Sequence, residues 1–178
     1  MSQDSLLANA DIARYVRTAT SDVFSTMLGL ELEPLPDRVD NDAPRISDGV
    51  LAFVGLAGPW TGAGVILCSA AFACHICGQF LMTEFQSVNE EVLDSMGELA
   101  NMIIGNFKTM AEEHLGPLGL SIPTVIYGRN FTSRSVGRND WIVIPFACGG
   151  EQMEIRVCIA PSKGQQGHPS SQSASMLA

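Results

Sequence analysis

The sequence predicts an α+β domain in which helices cover one face of an antiparallel sheet of about five or six strands. Three observations carry that reading: three stretches with apolar residues at helical spacing, apolar runs paired about turn residues, and enough apolar residues for one sizeable core. Of the 178 residues, 46% are hydrophobic. Residues 1–161 are expected to form a single domain, and 162–178, SKGQQGHPSSQSASMLA, has almost nothing to bury and reads as a disordered tail.

The first helix is expected over about 9–30, where Ile12, Tyr15, Val16, Ala19, Val23, Met27 and Leu30 share a face. Asn9 or Asp11 suits its start and Gly29 its end. Residues 31–36 read as a short extended piece stopped by Pro34 and Pro36, and the polar stretch 37–48 as a loop or an edge. Two Val- and Ile-rich runs, 49–57 and 62–68, flank GPWTG and predict a hairpin through Pro59 to Gly62, with Trp60 at the turn covering the sheet end. Ser69 is placed to cap a second helix running to Met82.

The longest periodic stretch, VNEEVLDSMGELANMIIGNFKTMAEEHL over 88–115, predicts a third helix lying along the core. Gly116, Pro117 and Gly119 break the chain after it, and 121–128 restarts as a strand with Pro123 near its beginning. A polar loop is expected over 129–140, holding Arg129, Arg134 and Arg138. Residues 141–148 and 151–160 alternate about Gly149 and Gly150, predicting a last hairpin with one buried face.

A formal charge of −9 argues against nucleic acid or an anionic membrane as partner, since both are bound chiefly through Lys and Arg. The N-terminus lacks a basic start followed by an apolar core, and no window reaches the apolar length of a membrane span, so a cytoplasmic location is expected. The five cysteines are odd in number and lie in apolar runs, which suits buried thiols better than disulfides. Cys74 and Cys77 have CxxC spacing without a second pair, so a metal or redox site is disfavoured.

The polar face of the third helix carries the best candidate chemistry. It reads Asp94, Glu98, Asn101, Gly105, Lys108 and Glu112, which puts Glu98 and Asn101 one turn apart on one side. Gly97, Asn101 and Gly105 fall on a line of four-residue steps, and a helix-interior Gly costs about 1 kcal/mol against Ala. That cost suggests a notch in which the Asn101 amide stands clear and another backbone or a phosphoryl group can approach closely. The alternative is that the glycines let a neighbouring helix cross tightly, with Asn101 simply capping or solvated. A neutral carboxamide both donates and accepts hydrogen bonds, so it can orient a water for attack on phosphorus, with Glu98 free to pair with a Lys on whatever protein carries the phosphoryl group.

These residues resemble the pattern of the CheC/CheX/FliY family of chemotaxis phosphatases: Asp or Ser, three residues, Glu, two residues, Asn, then roughly 22 residues to a Pro. Asp94, Glu98 and Asn101 match in type and spacing, and Pro123 follows Asn101 after 21 residues. RTATSDVFSTMLGLELEP, GELANMIIGNFKT and LGLSIPTVIYG read like segments of the CheX branch, so the resemblance covers about 11–160. No second ExxN helix accompanies the first, which favours the single-motif CheX type over CheC.

The resemblance implies dephosphorylation of a CheY-like response regulator. It implies that Asn101 places the hydrolytic water, that Glu98 contacts the regulator's Lys, and that Asp94, Gly97, Gly105 and Lys108 line the partner contact. It also implies that Mg²⁺ belongs to the regulator, that the chain itself binds no cofactor, and that two copies join as a homodimer. The competing expectation is a non-catalytic CheX-like interaction domain that binds a response regulator or signalling complex.

Overall fold

The structure, a computed structural model, describes residues 7–41, 45–132 and 140–162. Helix α1 (Asn9–Val23) buries Ile12, Ala13, Val16, Ala19 and Val23, and the chain then passes through a π-helical turn, Phe24–Leu28. Gly29, at φ +65°, ends it with its N–H donating to the Phe24 carbonyl. Neither Asn9 nor Asp11 caps the start, which falls on Ala8 without a side-chain cap. Asp11 instead pairs with Arg14 at 2.9 Å.

Two short pieces, β1 (Glu33–Pro34) and β2 (Arg38–Asp40), lie along one edge of the sheet, antiparallel to the later strand β7 (Trp141–Cys148). The hairpin of β3 (Arg45–Ala57) and β4 (Trp60–Ser69) follows, in the register Val50 to Cys68 and Val54 to Gly64. Helix α2 (Ala70–Leu81) starts on Ser69, whose hydroxyl accepts from the Phe72 N–H at 3.0 Å. Helix α3 (Glu90–Leu115) starts on Asn89, whose side chain accepts from the Val92 N–H at 3.0 Å. Such a cap contributes about 1 kcal/mol.

The chain returns through β5 (Gly119–Leu120) and β6 (Thr124–Thr132), both antiparallel to β3, and closes with β7 and β8 (Glu151–Pro161). Among the described residues the sheet has eight strands in the order β1-β7-β8-β4-β3-β5, with β2 also on β7 and β6 also on β3. Three of them are only two or three residues long, which accounts for the excess over the five or six expected.

Helices cover one face, as expected. Val92, Met96, Leu99, Ile103, Ile104 and Phe107 of α3 meet Val50, Ala52, Val54 and Ile66 of the central hairpin in one large core. Gly64 lets α3 come close, because a Cβ there would collide with the Ile104 side chain.

The final hairpin differs from expectation in being buried on both faces of β7. Ile142, Ile144 and Phe146 enter the main core, while Trp141 and Val143 join Leu51, Ala63, Val65 and Cys158 on the opposite side. Beside this second cluster Glu154 accepts from Arg38 at 2.6 Å and from Arg156 at 2.7 Å, and Arg156 faces Asp40 at 3.5 Å. Burial pushes the Glu154 carboxyl up, but the two guanidiniums outweigh it and hold it below the usual range.

Part of the 129–140 region also departs from expectation, because β6 carries on to Thr132 and Arg129 pairs with Asp48 at 3.6 Å. Arg134, Arg138 and nearly all of the 162–178 segment lie outside the described residues. Among the described residues no helix is long and apolar enough to cross a membrane.

Candidate functional site

The candidate site is the outward face of α3, and its placement follows from the helix's own periodicity. Burying Val92, Met96, Leu99, Ile103 and Phe107 turns Asp94, Glu98 and Asn101 away from the core. All three are exposed. Glu98 and Asn101 stand one turn apart, as three-residue spacing requires. Neither side chain makes a hydrogen bond or ion pair with another described residue, so both are available to a second molecule.

The glycines next to this pair are covered, which corrects the expected notch. Gly97 is buried, and a Cβ on it would lie 3.4 Å from Val125 Cγ2 and 3.6 Å from Pro123 Cβ. Gly105 is half-buried, and a Cβ on it would lie 3.7 Å from Leu120 Cδ1. The expected alternative, a crossing helix, is not what fills this flank either: the segment from Leu120 to Val125 packs there, and Asn101 stands exposed beside that contact. The physical reason is economy of apolar surface, since a groove lined by Leu120, Pro123 and Val125 is more stable closed than wetted.

Lys108 lies two turns beyond Asn101 but has a partner within its own helix. Its Nζ is 2.9 Å from Glu112 Oε1, and the same oxygen accepts from the Leu118 N–H at 2.7 Å. The Lys108 hydrogen bond and then the Leu118 N–H hold the Glu112 carboxyl below its usual range. Glu112 thereby fastens the loop after α3, and with it the path of the chain toward Leu120.

The thiols stand apart from this face. All five cysteines are free, and burial pushes Cys77 up to about 12 and raises Cys68 and Cys74 as well. A thiol so displaced stays protonated near neutral pH and is a poor nucleophile. Among the described residues no group of three or more His, Cys, Asp or Glu is placed to hold a metal ion.

One residue of this face was not singled out from the sequence. Ile122, between the covering residues Leu120 and Pro123, is 88% exposed. A single Ile between Ser121 and Pro123 has no periodic pattern to flag it. The only available signal was its place just before the motif Pro.

The profile of the family described as Chemotaxis phosphatase CheX matches residues 50–147, which span Asp94, Glu98, Asn101 and Pro123. Among curated proteins no sequence matches. The chain is similar to the crystal structure of a chemotaxis protein CheX from Desulfovibrio desulfuricans, at 28% identity and a TM-score of 0.76, over 84% of this chain and 99% of the other. It is similar to CheX from Vibrio vulnificus at 26% identity and a TM-score of 0.74, over 84% and 99% of the two chains. It shares its fold with the crystal structure of a CheX-CheY-BeF3-Mg complex from Borrelia burgdorferi, at 22% identity, a TM-score of 0.70, and 86% and 99% coverage.

Proposed function

Since the chain belongs to the CheX family of chemotaxis phosphatases, we propose that it speeds hydrolysis of the aspartyl phosphate on a CheY-like response regulator. The observation that carries this reading is the exposed, unpartnered pair Glu98 and Asn101 at the family's spacing. In this reading the Asn101 carbonyl accepts a hydrogen bond from a water, its amide N–H groups donate to the phosphoryl oxygens, and the water is held in line with the bond to be broken.

The water oxygen bonds to phosphorus as the bond from phosphorus to the aspartyl oxygen breaks. The regulator keeps its Asp carboxylate, inorganic phosphate leaves carrying the water oxygen, and the water's surplus proton passes to solvent. Glu98 pairs with a Lys of the regulator and fixes the docking angle. Mg²⁺ enters with the regulator; the Borrelia complex, which unites CheX with CheY, BeF3 and Mg²⁺, supports that division of parts.

A second copy of the chain is proposed to join along the sheet. Strand β6 pairs with β3 on one side and meets no other described strand on its outer side, leaving an edge for a partner copy.

The test is the decay of a phosphorylated CheY-like receiver, followed with and without this chain. Faster decay that scales with added chain supports the phosphatase. Saturable binding with the receiver's own unaltered decay rate supports the non-catalytic interaction domain instead.

A further inference from the structure

The contacts of Gly97 and Gly105 fix where Ile122 stands. The two glycines are eight residues apart, about 12 Å along the helix axis. Leu120 lies over Gly105 and Pro123 over Gly97, so this connection runs antiparallel to α3 beside the site. Ile122, next to Pro123, therefore falls at the level of Glu98 and Asn101.

It is held there from both sides. The Ser121 N–H donates to the Gly55 carbonyl at 2.9 Å, and the Gly55 N–H donates to Ser121 Oγ at 2.8 Å. Ser121 Oγ in turn donates to the Ile122 carbonyl at 3.0 Å. Pro123 follows with its fixed φ. A β-branched side chain on so anchored a backbone has few rotamers to lose when a partner covers it. Ile122 is 88% exposed, so its apolar side chain stands in water in the free chain, beside the candidate site.

On the phosphatase reading above, we propose that Ile122 is the apolar docking contact for the receiver, pressing on an apolar patch beside the phosphorylated Asp. The occupant is assigned by continuity: the glycine contacts put Ile122 at the level of Glu98 and Asn101 beside the same helix, and a molecule that brings a phosphoryl group to Asn101 meets Ile122 in the same encounter. Ile122 touches no reacting atom, and its part is affinity for the receiver.

The experiment uses the full chain and a CheY-like receiver carrying beryllofluoride and Mg²⁺, titrated by fluorescence, together with phosphoryl decay at saturating chain. Ile122→Asp is expected to weaken docking by about tenfold or more while leaving the saturated decay rate within about twofold. Ile122→Leu restores docking. Val39→Asp, changed at a residue 53% exposed on the opposite sheet edge, leaves docking unaltered.

If the wild type docks and accelerates decay while Ile122→Asp matches it, this inference falls and the phosphatase reading stands. A wild type that neither docks nor accelerates overturns both. Should Ile122→Asp instead turn a dimer into a monomer in sedimentation, with docking per chain unchanged, Ile122 serves a second copy and the inference is overturned.

Discussion

The two halves of α3 carry similar polar residues and use them in opposite ways. Toward its C-terminus Lys108 pairs with Glu112, Glu112 accepts from the Leu118 N–H, Thr109 Oγ1 donates to the Gly105 carbonyl, and His114 Nε2 lies 3.0 Å from the Tyr15 hydroxyl. Toward its middle Glu98 and Asn101 are exposed, with no partner among the described residues. The contrast teaches that polar residues on one helix face are not equivalent. Those with partners include contacts that fasten α3 to α1 and to the loop leading into β5, and those without stand free in solvent.

The sharpest way to break that contrast is to remove an unpartnered group and look for lost stability. Glu98→Ala is expected to weaken receiver docking by about tenfold and to leave the melting temperature unchanged, because an exposed carboxylate without partners contributes to binding and not to folding. A calorimetric scan beside the titration checks both halves of the statement.

Gly105→Ala probes the covered flank. An added methyl meets Leu120 Cδ1 at an ordinary 3.7 Å, so the gain in helix propensity dominates and unfolding in urea should show about 0.5–1 kcal/mol more stability. A loss of stability would mean that the Leu120 contact is tighter than the structure shows.

Glu112→Gln tests the partnered half through pH. Lys108 and the Leu118 N–H hold the folded carboxyl below its ordinary 4.5, so its contribution is complete above that value and is lost as pH falls through the folded pKa. The melting temperature of wild type should exceed that of Glu112→Gln near neutral pH, and the gap should close in acid. The smallest effect is expected from Tyr15→Phe, which removes the hydroxyl facing His114 at an exposed contact and should cost less than about 1 kcal/mol in denaturant unfolding.

Much of this was legible in the sequence because periodicity and caps are local. The apolar stripe of α3, the Ser69 cap, the Gly29 stop and the two hairpins all follow from neighbours a few residues apart. The pieces that were missed depend on distant partners. Residues 37–48 read as a loop or an edge from their mostly polar sequence; 38–40 does lie on an edge, beside β7, but 45–48 belongs to the long strand β3, whose hydrogen bonds there come from β6. Asn9 and Asp11 suit a cap by type, but the cap position falls one residue before Asn9, at Ala8.

At the site the exposed pair was legible, since a helix with one buried stripe must turn its three-residue neighbours outward together. The covering of Gly97 and Gly105 was not, because Leu120, Pro123 and Val125 arrive only after a break and a return along the sheet. The same return brings Ile122 beside the site.

The proposed chemistry stands most directly on the Asn101 carboxamide, and one kinetic measurement addresses it: phosphoryl decay of a CheY-like receiver at saturating Asn101→Ala chain, with docking verified on the beryllofluoride form. Docking should stay within a few-fold of wild type while about a hundredfold or more of the acceleration is lost, the scale of removing one oriented polar group from a reaction site. Asn101→Ala chain that docks and still speeds decay at the wild-type rate would contradict that role.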